Sequence, residues 1–428
     1  MHHPLPGPAS RPTIRRATLL AGLALAAPLA ASAAPDLDDW SAVRDEARGQ
    51  TVYWNAWGGD TRTNGYIAWV ADRMAQAHDV EVVHVKLDDT STAVSRVVTE
   101  KAAGNVDEGS IDLIWINGEN FAAMQELELL YGPYAEALPN FALTRPEANP
   151  EVVTDFTLPT GGFESPWGKA QITFYYDSDE LRGDSDELRG DSEEVAKPPG
   201  SIEALLDWAR ANPGRFTYPR IPDFTGSTFL KQALIALTEQ RDALYAPVEQ
   251  SDFDTVTAPL WDYLDALHPH LWREGRQFPD SGPALRGLMG DGELVLAFTF
   301  YPSEPAAAVA DFELPESTRS YVLDEGTLGN VHFVAIPFNS PHKAGALVLA
   351  DFLLSPEAQA HKQDPAVWGD RTVLDVAHLD EATRALFAID AENPAMLAPE
   401  ALHKTLAEPH PSWMTALQEA WRERYVAP

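Results

Sequence analysis

Residues 51–60, TVYWNAWGGD, residues 81–87, EVVHVKL, and residues 111–120, IDLIWINGEN, decide the architecture. The first is a β-rich run that stops at Gly58-Gly59-Asp60. The third begins as a nearly unbroken apolar stretch, the mark of a strand buried on both faces, and stops at Asn117-Gly118-Glu119-Asn120. Between these runs the apolar residues take helical spacing: Ile67, Val70 and Met74 in one segment, Val94, Val97 and Val98 in the next, where Thr90 or Ser91 would cap. A helix-like run, 121–130, follows the third strand. Strand, helix, strand, helix, strand predicts a parallel sheet with covering helices. In such sheets ligands sit beyond the carboxyl ends of the strands, where the loops 57–60 and 117–120 fall.

Further along, QITFYY at 171–176 reads as another strand. The heptapeptide DSDELRG then occurs twice, at 177–183 and 184–190, and Asp191-Ser192 begins a third copy. That is too short for a solenoid and lacks the EF-hand pattern, so 177–192 reads as a duplicated surface loop. A second α/β region runs from about 198 to 300. It contains a helix at 202–211, the motif YPRIPDFTGS (218–227) opening a helix through Leu237, helical segments near 256–267 and 281–290, and a strand at 293–300. Near the end, NVHFVAIP (330–337) precedes a helix-like run at 344–354. Ser355-Pro356-Glu357 then starts another helix, with serine as cap, proline in the first turn and glutamate at the positive end.

The chain has 428 residues, 31 Lys+Arg against 65 Asp+Glu, and a formal charge of −34. Its length fits two domains, and its charge repels a polyanion, which excludes non-specific nucleic-acid binding. The absence of cysteine excludes disulfide staples, thiolate metal sites and a cysteine nucleophile. Dense carboxylates with few lysines also fit a protein kept soluble at high salt. Residues 1–35 carry no Asp or Glu, whereas Arg11, Arg15 and Arg16 precede the apolar run 17–31 and the small-x-small site Ala31-Ser32-Ala33. This is an export signal, of Sec or twin-arginine type, cleaved near Ala33. The mature protein is then expected in the periplasm.

The segments YWNAWGGD, HVKLDDT, EKAAG, GSIDLIWINGENF, SPWGKAQ and DFTGSTFLKQAL, in this order, with FLLSPEAQ near the end, resemble the family-1-type extracellular solute-binding proteins of ABC importers, and within them the YnjB-like subfamily. The resemblance covers about 50–370. It implies a type II periplasmic binding fold: two α/β lobes, hinge crossovers and an interlobe ligand cleft. Lobe 1 would comprise 36–170 and 301–338 and lobe 2 would comprise 171–300, with 339–428 a helical segment packing across lobe 2 and the hinge. It further implies a small-molecule ligand, delivery to a membrane permease with its ATPase, a monomer, and neither cofactor nor metal.

Within that frame, Trp57 and Trp167 in loops beside Gly and Pro are candidate cleft walls, while Trp54 and Trp115 inside strands read as core. Gly58 and Gly59 would let backbone N–H groups approach a ligand. Asp60 would cap a helix or meet a ligand cation. Asn117, Glu119 and Asn120 place three polar side chains directly after a buried strand. Lys169 would contact ligand from the first crossover, and Tyr301 from the return. Asp223 would pair with a cation, and Thr225, Gly226 and Ser227 open a helix whose free N–H groups favour an anion. Together these suit a cation or a zwitterion. Tyr175-Tyr176 brings ferric-ion binders to mind, but alternation sends one ring inward and the other out. His268-Pro269-His270 reads as a surface turn. A secreted hydrolase working through paired carboxylates is the rival reading. It lacks a GxSxG or HExxH motif, and the acids spread over the whole chain.

Overall fold

The computed structural model describes residues 34–181, 197–388, 393–397, 399–402 and 404–426. The N-terminal signal and the duplicated loop beyond Leu181 lie outside the described residues. Strand β1 (Thr51–Trp57) lies parallel between β2 (Glu81–Leu87) and β3 (Leu113–Ile116). Helices α1 (Trp40–Ala47), α2 (Thr61–His78) and α3 (Ser91–Ala102) accompany them. The local reasons are visible. Asp60 caps α2 by accepting from the Arg62 and Thr63 N–H groups, Asp79 ends it in the left-handed region, and its buried stripe is Tyr66, Ile67, Val70 and Met74. Each such burial contributes about 1.5–3 kcal/mol. At α3 the first turn is held by Asp89, which accepts from the Ser91 N–H, while the Thr90 hydroxyl donates to the Trp115 carbonyl.

The sheet is mixed, not wholly parallel. Strand β3 pairs antiparallel with the long strand Thr327–Ala335, which pairs antiparallel with Glu164–Gln171. These two strands continue toward a second, three-stranded antiparallel sheet in which Thr173–Asp177 lies between Leu296–Thr299 and Thr318–Tyr321. The buried apolar residues accordingly form two clusters, one around β1–β3 and one around the second sheet and helices Ile202–Ala211, Phe224–Leu237 and Phe253–Leu267. Tyr175 is buried and Tyr176 half-buried.

Two expected boundaries move. Within 301–338, expected in lobe 1, Tyr301 packs on the first core, but Leu314, Leu323 and Leu328 belong to the second, and the chain returns to the first at Val331. The reason is that Thr318–Tyr321 completes the second sheet before the chain crosses back. Residues 339–428 divide: helix Lys343–Leu353 packs on the first core, whereas Pro411–Tyr425 buries Trp413, Leu417 and Trp421 in the second. Ser355 does cap its helix, accepting from the Ala358 N–H. His268 is buried, at 2.7 Å from the Tyr218 hydroxyl, so it is no surface turn; burial pushes its imidazole down to about 4. Among the described residues no helix is long and apolar enough to cross a membrane.

Candidate functional site

A cavity of about 400 Å³ lies where the carboxyl ends of β1, β2 and β3 meet the second core. From the first side come Trp57, Asp60, Asp88, Asp89, Asn117, Glu119, Asn120 and Tyr301; the opposite side supplies Asp223, Thr225, Arg286 and Glu304. The C-terminal helix closes one end with Met414, Gln418 and Arg422, one helical turn apart.

One wall is aromatic. A Cβ on Gly59 would lie 2.5 Å from the Trp57 ring, so the indole packs against that backbone and only glycine fits there. The Tyr301 ring lies 5.9 Å from Trp368 and 6.0 Å from His332. Burial raises the Tyr301 phenol well above its ordinary value, so it faces the cavity as a neutral hydroxyl. Beneath this floor, Asp370 accepts from Lys362 at 2.5 Å and bonds the His332 Nε2 at 3.0 Å, all fully buried or nearly so. Burial alone would raise the Asp370 carboxyl, but Lys362 and His332 outweigh it and hold it below the usual range.

The other wall is acidic, and its arginines are already committed. Arg286 meets Asp60 at 3.3 Å, Glu313 at 2.9 Å and also Glu304. Arg62 meets Asp311. Glu119 has no such partner: Oε1 accepts from its neighbour Asn120 at 3.1 Å, and Oε2 is buried with none. Burial lifts its carboxyl to about 7, with Lys231 pulling the other way. Asp223, which spends one oxygen on the Gly226 N–H, is lifted by burial to about 6.

Five expected contacts are not at this cavity. Trp167 is fully buried, because a bulge between His332 and Phe333 leaves it as the extra residue of its strand and turns it into a nest with Trp54 at 5.3 Å and Trp115 at 4.8 Å. Lys169 reaches away to Glu151 at 2.9 Å. The Gly58 N–H is spent on the Leu87 carbonyl, and a Cβ there would strike the Lys86 stem, so this glycine serves packing. Gly226 is pressed against the Pro219 carbonyl, and Ser227 is buried, accepting from Gln418. Asp223 takes up the N–H groups at this helix start, which removes the expected anion site. Trp54 is core as expected, and Trp115, mostly buried, still touches the cavity.

Asp88 and Asp89, not among the expected site residues, also line the cavity; they follow β2 as Asn117 follows β3, and that strand-end position marks them in the sequence. Arg286, His332, Trp368 and the C-terminal helix carry no local signal. Behind Glu119, the Asp155 carboxylate accepts from the Gly118 N–H at 2.6 Å, and Glu164 has both oxygens buried without a partner. Burial, then Asp155, raises the Glu164 carboxyl well above the usual range. A raised folded pKa means stability that is lost as pH climbs from about 4.3 toward the folded value. Glu164→Gln is therefore expected to melt higher than wild type by a margin that widens as the pH is raised from about 5 through neutrality. Thermal melts across that range check it, and a constant margin would contradict the burial argument.

The family profile described as bacterial extracellular solute-binding protein matches residues 69–390. The chain belongs to that family. It is 45% identical over 394 residues to protein YnjB of Escherichia coli (strain K12), covering 92% of this chain and 96% of that protein. The fold is shared with the periplasmic binding protein AfuA of Actinobacillus pleuropneumoniae, solved with fructose-6-phosphate, at 16% identity and TM-score 0.58 over 89% of this chain and 99% of that one. It is shared too with the spermidine/putrescine substrate-binding protein PotD of Streptococcus pneumoniae, at 14% identity and TM-score 0.57 over 88% and 98%. This solute-binding protein thus has the two-lobed type II periplasmic binding fold.

Proposed function

We propose that this solute-binding protein, exported with its signal removed near Ala33, captures a small organic cation in the cleft as a monomer, performs no chemistry on it, and releases it to the permease. The site consists of Trp57, Asp60, Asn117, Glu119, Asn120, Asp223, Thr225 and Tyr301, joined by Asp89. One observation carries the reading: the cleft's carboxylates outnumber its cations, and two of its three arginines are already paired, leaving Glu119 without a counter-ion. A cation between that carboxylate and the Trp57 and Tyr301 rings gains both Coulomb and cation–π attraction. A zwitterion is the second reading, favoured by Arg422, which has no ion-pair partner among the described residues.

A thermal-shift screen of the mature protein against amines, aromatic cations, amino acids, phosphates and neutral sugars tests this, followed by calorimetry on the binders. Cations should stabilise. Their affinity should rise from about pH 6 to about pH 8 as the Glu119 carboxyl, held near 7, ionises. Glu119→Gln should weaken binding about 30-fold, or ~2 kcal/mol. Stabilisation by neutral sugars alone would end the proposal.

A further inference from the structure

Phe312 breaks two local rules at once. Its side chain is 91% exposed, more than any other large apolar residue among those described. Its φ is +60°, a left-handed conformation that crowds any side chain bearing a Cβ. It follows the helix Glu304–Ala310, where the Phe312 N–H bonds the Val309 carbonyl and the Glu313 N–H bonds the Ala308 carbonyl. Glycine or asparagine is the residue that such a turn favours. Nothing in the turn itself asks for an aromatic ring.

The neighbours of Phe312 tie it to the cleft. Asp311 is paired with Arg62 at 2.5 Å; Arg62 lies on α2 of the first core, whereas Ala308 and Leu314 belong to the second, so the bridge joins the lobes. Glu313 holds Arg286 at 2.9 Å, and Arg286 in turn holds Asp60 of the first lobe at 3.3 Å. The ring therefore stands between Asp311, whose ion pair with Arg62 exists only while the lobes are together, and Glu313, whose pair with Arg286 lies within the second lobe beside the Arg286–Asp60 bridge.

We propose that Phe312 is a docking knob for the extracytoplasmic face of the permease, presented when the lobes close. This rests on the importer role described above. The partner's side is an apolar pocket with a basic rim, because Asp311 and Glu313 remain 59% and 44% exposed beside the ring. A second copy of this chain fits poorly: it carries the same acids and the same formal charge of −34. A single ring flanked by acids is likewise repelled from an anionic membrane surface.

The test measures association of the full-length mature protein with its permease–ATPase complex in nanodiscs, together with the ATPase stimulation it produces. Phe312→Ala and Phe312→Gly should bind at least about tenfold more weakly, Phe312→Trp should recover most of the loss, and none should melt lower than wild type. The glycine variant should melt higher, because it relieves the backbone. Alanine and glycine variants that associate like wild type overturn the knob alone. A wild-type protein that neither associates nor stimulates overturns both the knob and the importer role. Equal loss toward lipid-only nanodiscs would make the ring a membrane contact and also overturn the proposal.

Discussion

Replacing Asp370 with asparagine is expected to destabilise the protein by about 3–5 kcal/mol. The substitution keeps the shape of the side chain and removes only its charge. Lys362 would then remain an ammonium at zero exposure with neutral acceptors only, the amide oxygen and the Arg371 carbonyl at 3.1 Å, and the Trp167 and Trp368 rings 5.7 and 5.9 Å away. The backbone has little room to adjust, since a Cβ on Gly168 would already lie 2.0 Å from the Asp370 carboxylate. The effect reaches the cleft: His332 would face a neutral amide in place of the carboxylate now 3.0 Å away, and its ring and Trp368 both line the cavity. Urea denaturation reads the loss. The control is the double variant Lys362→Met with Asp370→Leu, which removes both charges and should regain most of the stability. Equal destabilisation of the double variant would show that packing around Asp370, not charge compensation, sets the cost.

Lys231→Met is expected to cost a similar amount, about 3–5 kcal/mol, for the opposite charge. Lys231 is 1% exposed and pairs with the equally buried Glu408 at 2.6 Å, while Asn330 donates to the other oxygen at 3.1 Å. The ammonium also sits 4.5 Å over the Phe156 ring and 5.3 Å over Phe224. Phe156 in turn packs against Gly118, whose φ of +60° and lack of a Cβ allow that ring to approach. Without Lys231, Glu408 becomes an uncompensated buried carboxylate near Asp155 and Glu119. Because Lys231 holds the Glu119 carboxyl down, its loss should also weaken cation binding at neutral pH. Lys231→Met with Glu408→Leu should restore the stability and, because Glu408 pushes the Glu119 carboxyl up, part of the lost affinity as well. A single variant as stable as wild type would mean that water reaches this pair.

How much of this was legible beforehand depends on the range of each cause. The three parallel strands follow from apolar runs with helical periodicity between them, and the caps at Asp60 and Ser355 act over two or three residues. Asn117, Glu119 and Trp57 line the cavity for a reason equally local: they end strands of a parallel sheet. Trp167 and Lys169 read wrongly because their directions are set by a bulge against His332 and Phe333, more than 160 residues away in sequence. Thr225-Gly226-Ser227 read as an anion site because the sequence does not say that Asp223, two residues earlier, already occupies those N–H groups.

The order of strands and helices, the acidic surface and the family signature were thus determined by the sequence itself, since each arises from neighbours along the chain. The opposite wall of the cleft was decided only by the tertiary structure. Arg286 with its three carboxylates, the Lys362–Asp370–His332 network under the aromatic floor, and Met414, Gln418 and Arg422 on the last helix come from segments hundreds of residues away from Trp57. A cleft between two cores is lined by whatever the folded chain brings to its edges, and periodicity along one segment carries no information about what will face it.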